Sequence, residues 1–516
     1  METGNMETGM AASASTRRSS PAGGLNAREY ANRRANLSND LRRFFWLLLL
    51  LPGALTEVQA AESKHSLRAG AVAQLITPLE FPISVNGNMA DVLATAAHDP
   101  LHARCLVLAN GETSLAIVVC DSCMLPRELI DAARKLASDK TGIAASNILI
   151  SATHAHSCPT STGVFQSEPD LKYTAFLIQQ IAAGIETAFR RLEPARVGWT
   201  TADEPSQIFN RRWILKPGET IEDPFGGRTD RVKMNPGYSN PLVERPAGPI
   251  DPQVSILSVQ SRDGRPIALL ANYSLHYVGG VAGPVVSADY FGEFATRIAR
   301  HVNGTKAQPA FVGIMSNGTS ADVNNVNFSL KSGPKRQPYE QMGCVAEIVA
   351  QATARAYAGI QYHDALPLRV RDTEIDLKVR LPSAADLAKA ETLLSGVTER
   401  PLKGTPLIYA RETTLLARYP AEVKVRLQAI RIGDLGIVSS PCETFTETGL
   451  AIKQHSPLKQ TFTIELANGY NGYLPTPEQH QLGGYETWRA RSSYLVPDAE
   501  PKIRATLLEL LKSIAE

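Results

Sequence analysis

Two histidines lie two residues apart in Ser151-Ala152-Thr153-His154-Ala155-His156-Ser157, directly after an apolar run over 147–152. Extended backbone points alternate side chains the same way, so the pair is expected to project together from a strand end. Imidazole is the commonest zinc ligand, although hydrogen-bonded histidines also occur at this spacing. A second apolar run, Ala271-Asn272-Tyr273-Ser274-Leu275, ends at His276 ahead of Gly279-Gly280. Two strands that each deliver a histidine to their ends point to a shared metal. A carboxylate, Glu443, follows the Pro-turn of Ser439-Ser440-Pro441-Cys442-Glu443-Thr444-Phe445; a helix N-terminus would equally favour it there. The loop Ala467-Asn468-Gly469-Tyr470-Asn471-Gly472-Tyr473-Leu474-Pro475-Thr476 is rich in tyrosine, and Tyr485-Glu486 comes twelve residues after Tyr473.

These groups need a scaffold that gathers strand ends. Residues 67–76, 105–110 and 114–120 read as strands, the last two joined by an Asn110-Gly111 turn. Residues 126–141 read as a helix with Leu129, Ala132, Ala133 and Leu136 on one face, stopped by Gly142. Strand and helix alternate again over 266–273, 290–301, 310–315 and 339–357. This order predicts an α/β layered domain with its site at strand ends. Residues 203–250, rich in Pro and Gly, read as an active-site loop region. Residues 381–420 read as a helical insertion, 423–432 and 435–440 as strands, and 501–514 as a closing helix.

Hydrophobic residues make up 43% and charged residues 20%, the balance of a globular chain. Residues 1–60 carry seven Arg against five Asp plus Glu, a net of +2 that equals the net charge of the whole chain. The remainder is therefore near neutral, which argues against a nucleic-acid binder, since that needs a basic surface. Arg42-Arg43, the short apolar run 44–51, Pro52-Gly53 and Val58-Gln59-Ala60 form a secretory signal pattern with cleavage expected after Ala60. Met6 or Met10 is an alternative start, and the paired arginines hint at twin-arginine export. The run is shorter than the roughly 20 apolar residues a membrane span needs, and no later segment reads as one. The expected organisation is a leader over 1–60 and one catalytic domain over 61–516, in an exported protein that is periplasmic or secreted. Cys120-x-x-Cys123 lies in an apolar run without a second cysteine pair, so it reads as buried structural thiols rather than a redox or metal motif.

Taken together, Ser151-Ala152-Thr153-His154-Ala155-His156-Ser157, Asn272-Tyr273-x-x-His276, Pro441-Cys442-Glu443-Thr444-Phe445, and Tyr473-Leu474-Pro475-Thr476 with Tyr485-Glu486 resemble the catalytic domain of the neutral, non-lysosomal ceramidases. The resemblance covers about residues 66–515 and includes motif order and Tyr–Tyr spacing. It implies an α/β fold, a layered mixed sheet with flanking helices, and Zn2+ held by His154, His276, Glu443 and Tyr473. It places His156 toward the substrate carbonyl or the zinc's water, and Tyr485 at the developing oxyanion. Arg211 of Phe209-Asn210-Arg211-Arg212 becomes an oxyanion or substrate contact, with Arg212 as the alternative. The implied activity is hydrolysis of the amide bond of an N-acyl lipid such as ceramide. Zinc lowers the pKa of bound water to about 7, and one oxyanion donor is worth about 3 kcal/mol.

Two features depart from the family. Its segment Asn-x-Gly-Asp-Val-Ser-Pro-Asn carries a serine with an assigned catalytic role. Matching Asp-Val to Asp322-Val323 puts Asn324 at that position. Ser320, four residues earlier, and Ser316, eight earlier, are available to replace it; the loop also suits a backbone anion nest or a plain turn. Ser320 and Asp322 thus join His156, Arg211 and Tyr485 as expected catalytic residues, and Asn324 joins His156, Arg211 and Tyr485 as an expected substrate contact. The family also continues into a C-terminal immunoglobulin-like domain, for which a chain ending at Glu516 is expected to have no room. Three functions stay open: a ceramide-type amidase, a same-fold zinc amidase or esterase on another substrate, and a non-catalytic zinc-binding protein. His156, Arg211 and Tyr485 favour the first two, because a structural metal needs none of them.

Overall fold

Residues 66–516 are described by the structure, a computed structural model; the leader expected over 1–60 lies outside them. Eight strands form a mixed sheet: β1 (Arg68–Leu75), β2 (His102–Ala109), β3 (Ser114–Cys120), β4 (Ile148–Ala152), β5 (Glu193–Asp203), β6 (Gln253–Ser261), β7 (Pro266–Tyr273) and β8 (Val312–Asn317), in the order β8-β7-β6-β5-β1-β2-β3-β4. Four more, β9 (Leu368–Lys378), β10 (Glu422–Ile432), β11 (Leu435–Ser439) and β12 (Gln460–Ile464), form a second sheet in sequence order.

Strands that are apolar on both faces must be covered on both faces, and this sets the layering. Along β2 and β3, Cys105, Val107, Ala116 and Val118 face one core, while Leu106, Leu108, Ile117 and Val119 face another. The first core is closed by α1 (Arg127–Thr141), α2 (Leu171–Arg190), α3 (Asp289–His301) and α4 (Glu340–Tyr357). The second is closed by the small sheet, through Leu368, Ile430, Ile437 and Phe462. Helices α5 (Ala384–Leu394) and α6 (Thr405–Leu416) form the insertion, and α7 (Thr446–His455) links β11 to β12. Helix α8 (Ala499–Ala515) covers the outer face of the small sheet through Ile503, Leu507 and Leu511. The layers run helix, sheet, sheet, helix. The expected layered mixed sheet with flanking helices is present, as two packed sheets rather than one.

Parallel pairing joins β3 to β4, β7 to β8 and β11 to β12, each pair connected through a helix. In such units, groups just past the C-terminal strand ends share one rim of the sheet. β4, β7 and β11 run into His154, His276 and Glu443. The segment after β12 draws these rims together: Glu465 N–H donates to Asn317 O at 3.2 Å, Ala152 N–H to Leu466 O at 3.0 Å, and Asn468 N–H to Ile150 O at 2.8 Å. It thereby fastens both edge strands of the large sheet to the small one.

Several elements depart from the sequence reading. The β2–β3 loop has four residues, with Asn110 Oδ1 accepting from the N–H groups of Glu112 and Thr113, so Asn110 builds an Asx turn rather than a two-residue hairpin. The 20-residue α2 and strands β5, β6, β9 and β12 go beyond the expected elements. Residues 203–250 hold a three-stranded sheet, Arg212–Leu215, Val232–Met234 and Val243–Pro246, rather than loop alone. Among the described residues, no helix is long and apolar enough to cross a membrane.

Candidate metal centre and cleft

β4 stops at Ala152, and His154 takes a left-handed backbone with φ 71° while its N–H donates to Ser122 O at 2.8 Å. His154 and His156 therefore do not project by strand alternation. The kink turns the rings onto one another, with centroids 4.6 Å and Nε2 atoms 3.1 Å apart. His154 Nδ1 lies 2.8 Å from Cys123 O, and His276 Nδ1 lies 3.1 Å from Ser320 O. A carbonyl that takes the Nδ1–H proton leaves Nε2 of each ring free as a ligand. Glu443 and Tyr473 meet because Glu443–Thr444 and Tyr473–Leu474 pair as short parallel strands, residue 443 opposite 473. Gly472 makes that turn possible: its φ is 75°, and a Cβ there would sit 2.6 Å from Ser492 O. Tyr470 Oη donates to Glu443 Oε1 at 3.1 Å, and Arg211 Nη2 to Tyr473 Oη at 3.2 Å.

One donor atom each from His154, His276 and Glu443 lies within 4.8 Å of the others. Glu443 Oε2 faces His154 Nε2 at 3.2 Å as an ion-pair contact. Glu443 Oε2 and His276 Nε2 are both buried without a hydrogen-bond partner. An unpaired buried polar atom costs about 1–3 kcal/mol, so two facing one point is a cradle that a cation would satisfy. Two imidazoles, a carboxylate and a phenol oxygen suit a divalent ion of the zinc type. His154 also groups with Cys123 and His156. There, however, Cys123 O already occupies His154 Nδ1, and burial pushes the Cys123 thiol up, away from the thiolate a metal needs.

Burial, reinforced by His154 and Arg211, holds His156 well below the usual imidazole range. Burial, then Arg211, does the same for His276. Both rings are neutral. Burial works against charge on His154, yet the Glu443 carboxylate beside it holds its pKa well above the usual value. Burial and Glu443 together push the Tyr473 phenol up, so it is protonated in the metal-free state.

The centre adjoins a narrow cleft of about 20 Å³ whose walls include His156, Tyr485, Phe165, Val164, Met124 and Asn88. His156 stacks on Tyr277 at 3.7 Å and backs onto Gly87, where a Cβ would lie 2.4 Å from the ring. Tyr485 meets Tyr473 edge-on at 5.8 Å. Arg211 Nε bonds Glu486 at 3.2 Å, which aims the guanidinium at Tyr473. Arg212 also pairs with Glu486 but turns to Gln479 and Gly483 O. Of the two arginines, Arg211 faces the centre.

Other expected site residues fall elsewhere. Ser320 is buried, and its hydroxyl donates to Glu465 Oε1 at 2.6 Å. Ser316 Oγ donates to Ala271 O at 3.2 Å, within the sheet. Asp322 accepts from Asn210 Nδ2 and from the N–H and hydroxyl of Thr446. Asn324 pairs with Phe209 in a short strand and bonds Asn235 Oδ1 at 2.8 Å. None of the four lines the cleft. Residues 318–324 pass beneath His276 and against the start of α7, so their polar groups are consumed as bracing. The sequence reading quoted Tyr470 and Glu486 within their motifs without giving them a role, and it did not single out Glu465. The tyrosine-rich loop was a signal for Tyr470, and an acid at the end of the apolar run Phe462-Thr463-Ile464 was one for Glu465.

Solved structures with this architecture include neutral ceramidase from Pseudomonas aeruginosa, with a TM-score of 0.65 and 16% identity, covering 87% of this chain and 75% of that one. A ceramidase complexed with C2 matches with the same TM-score and coverage at 17% identity. No protein-family model matches the chain, and no curated protein does. The chain has the neutral ceramidase fold.

Proposed function

We propose that the protein is an exported zinc-dependent hydrolase that cleaves the amide bond of an N-acyl lipid such as ceramide. The observation that carries this reading is the convergence of His154, His276 and Glu443, two of them with buried unpartnered donor atoms, beside a cleft that His154 and Glu443 line. Those three residues and Tyr473 would hold the ion. When bound, zinc supplies Lewis acidity and activates water near neutral pH. His156, held neutral by burial and by the His154 and Arg211 charges, would serve the attacked carbonyl as a neutral hydrogen-bonding group, its depressed pKa making it a weak base. The Tyr485 hydroxyl and the Arg211 guanidinium are donors for the oxyanion of the attacked carbonyl. Met124, Val164 and Phe165 offer an acyl chain an apolar wall and keep water from it. The fold shared with ceramidases supports the reaction class, and the signal pattern before Ala60 supports export.

Metal analysis of the purified protein and fatty-acid release from ceramide test the reading together. One zinc per chain and turnover are expected, both lost in His154→Ala and Glu443→Ala. Full activity in metal-free protein would reject it. Asn324 at the family's serine position, with Ser320 turned to Glu465, favours a second reading: a same-fold zinc amidase or esterase for another substrate. Turnover of some other acyl amide or ester without ceramide turnover selects that reading. His154, Glu443 and Tyr473 line the cleft, which favours an accessible ion over the closed coordination of a purely structural zinc.

A further inference from the structure

Glu465 is fully buried just past the end of β12, and both its carboxylate oxygens are in use. Oε1 accepts from the Ser320 hydroxyl at 2.6 Å, and Oε2 from the Thr444 N–H at 2.7 Å. Each partner is one step from a donor of the metal centre. The Ser320 carbonyl faces His276 Nδ1 at 3.1 Å, and Thr444 follows Glu443 in its two-residue strand. The Glu465 backbone adds a third tie, to Asn317 O at 3.2 Å. Taking a carboxyl group out of water is costly, and an apolar residue would fill the same space if packing alone were required.

We infer that Glu465 is a positioning residue: by bridging Ser320 and Thr444 it fixes the separation of the His276 and Glu443 donors, and so sets the affinity of the metal centre. This rests on the metal reading proposed above. It also gives Ser320 a task other than catalysis, since its carbonyl orients His276 while its hydroxyl anchors the bridge. Neither residue touches the cleft, so neither contacts substrate. Outer partners of metal ligands typically govern about 10–100-fold of affinity.

The test is zinc affinity of the full chain, measured by competition with a chromophoric chelator, with thermal melting of the metal-free protein as the check on folding. Glu465→Ala is expected to weaken zinc about 10–100-fold. Glu465→Gln should stay within about threefold of wild type, because its amide oxygen can accept from Thr444 while its amide NH2 donates to the Ser320 hydroxyl. Ser320→Ala, which keeps the carbonyl but loses the bond to Glu465 and the longer 3.4 Å contact of its hydroxyl with His276 Nδ1, should fall between them, and it carries the test if Glu465→Ala does not fold. A folded Glu465→Ala or Ser320→Ala protein that binds zinc as tightly as wild type overturns the inference, as does a Gln variant as weak as the Ala one. Wild-type protein that binds no zinc overturns the metal reading and this inference together.

Discussion

Two groups of buried polar side chains share the rim of the sheets and differ in closure. Around Glu486 and Asp322 the charges are paired: Arg211 and Arg212 both bond Glu486, and Asp322 takes hydrogen bonds from Asn210 and Thr446. Around Glu443 the burial is as deep, yet His276 Nε2 has no hydrogen-bond partner and Glu443 Oε2 meets only His154 Nε2, at 3.2 Å. Arg211, bonded to Glu486 and to Tyr473, links the two groups; beyond it the paired side chains brace the fold, while ligand-type atoms left unpaired side by side are ones a bound cation would complete. By residue type alone the two groups look equally catalytic.

That contrast breaks most directly at Glu443. Glu443→Ala should abolish stoichiometric zinc binding, read by elemental analysis after dialysis, and should also lower the melting temperature of the metal-free protein, because His154 and Tyr470 lose their buried partner. The closed group should respond differently. Glu486→Ala leaves two buried guanidinium groups without their carboxylate and should cost about 3–5 kcal/mol of stability in urea unfolding, with zinc still bound. Tyr485→Phe should spare zinc and folding but lower kcat for amide hydrolysis by about 10²-fold, the usual loss of one oxyanion donor.

A smaller effect follows from protonation. In the metal-free protein Glu443 holds the His154 pKa well above its usual value against the effect of burial, and a ligand ring must be neutral to bind metal. Binding of the proposed zinc would therefore release that proton. Affinity should rise about tenfold per pH unit below the raised pKa and level off above it; titration calorimetry in buffers of different ionisation heat would count the proton. The smallest change is expected at Asn324, which bonds Asn235 outside the cleft. Asn324→Ser should shift stability by no more than about 0.5 kcal/mol and leave ceramide turnover unaltered. A large gain in turnover would put position 324 in the site after all.

Much of this was legible in the chain itself. The apolar runs that became β2, β3, β4, β7, β10 and β11, and the helix ended by Gly142, are local patterns whose meaning does not depend on distant residues. The same holds for His154, His276 and Glu443, each set directly after a strand, so that strand ends alone announce where chemistry would sit. Only the tertiary structure decided the rest. Two sheets stack because β2 and β3 are apolar on both faces. His154 turns left-handed because its N–H reaches Ser122, and residues 465–468 clasp both edges of the large sheet. Whether Ser320 and Asp322 face the cleft or the scaffold hangs on partners such as Glu465 and Thr446, more than a hundred residues away in sequence. Residue type and spacing determine what a side chain can do; contacts between distant segments determine which of its bonds are already spent.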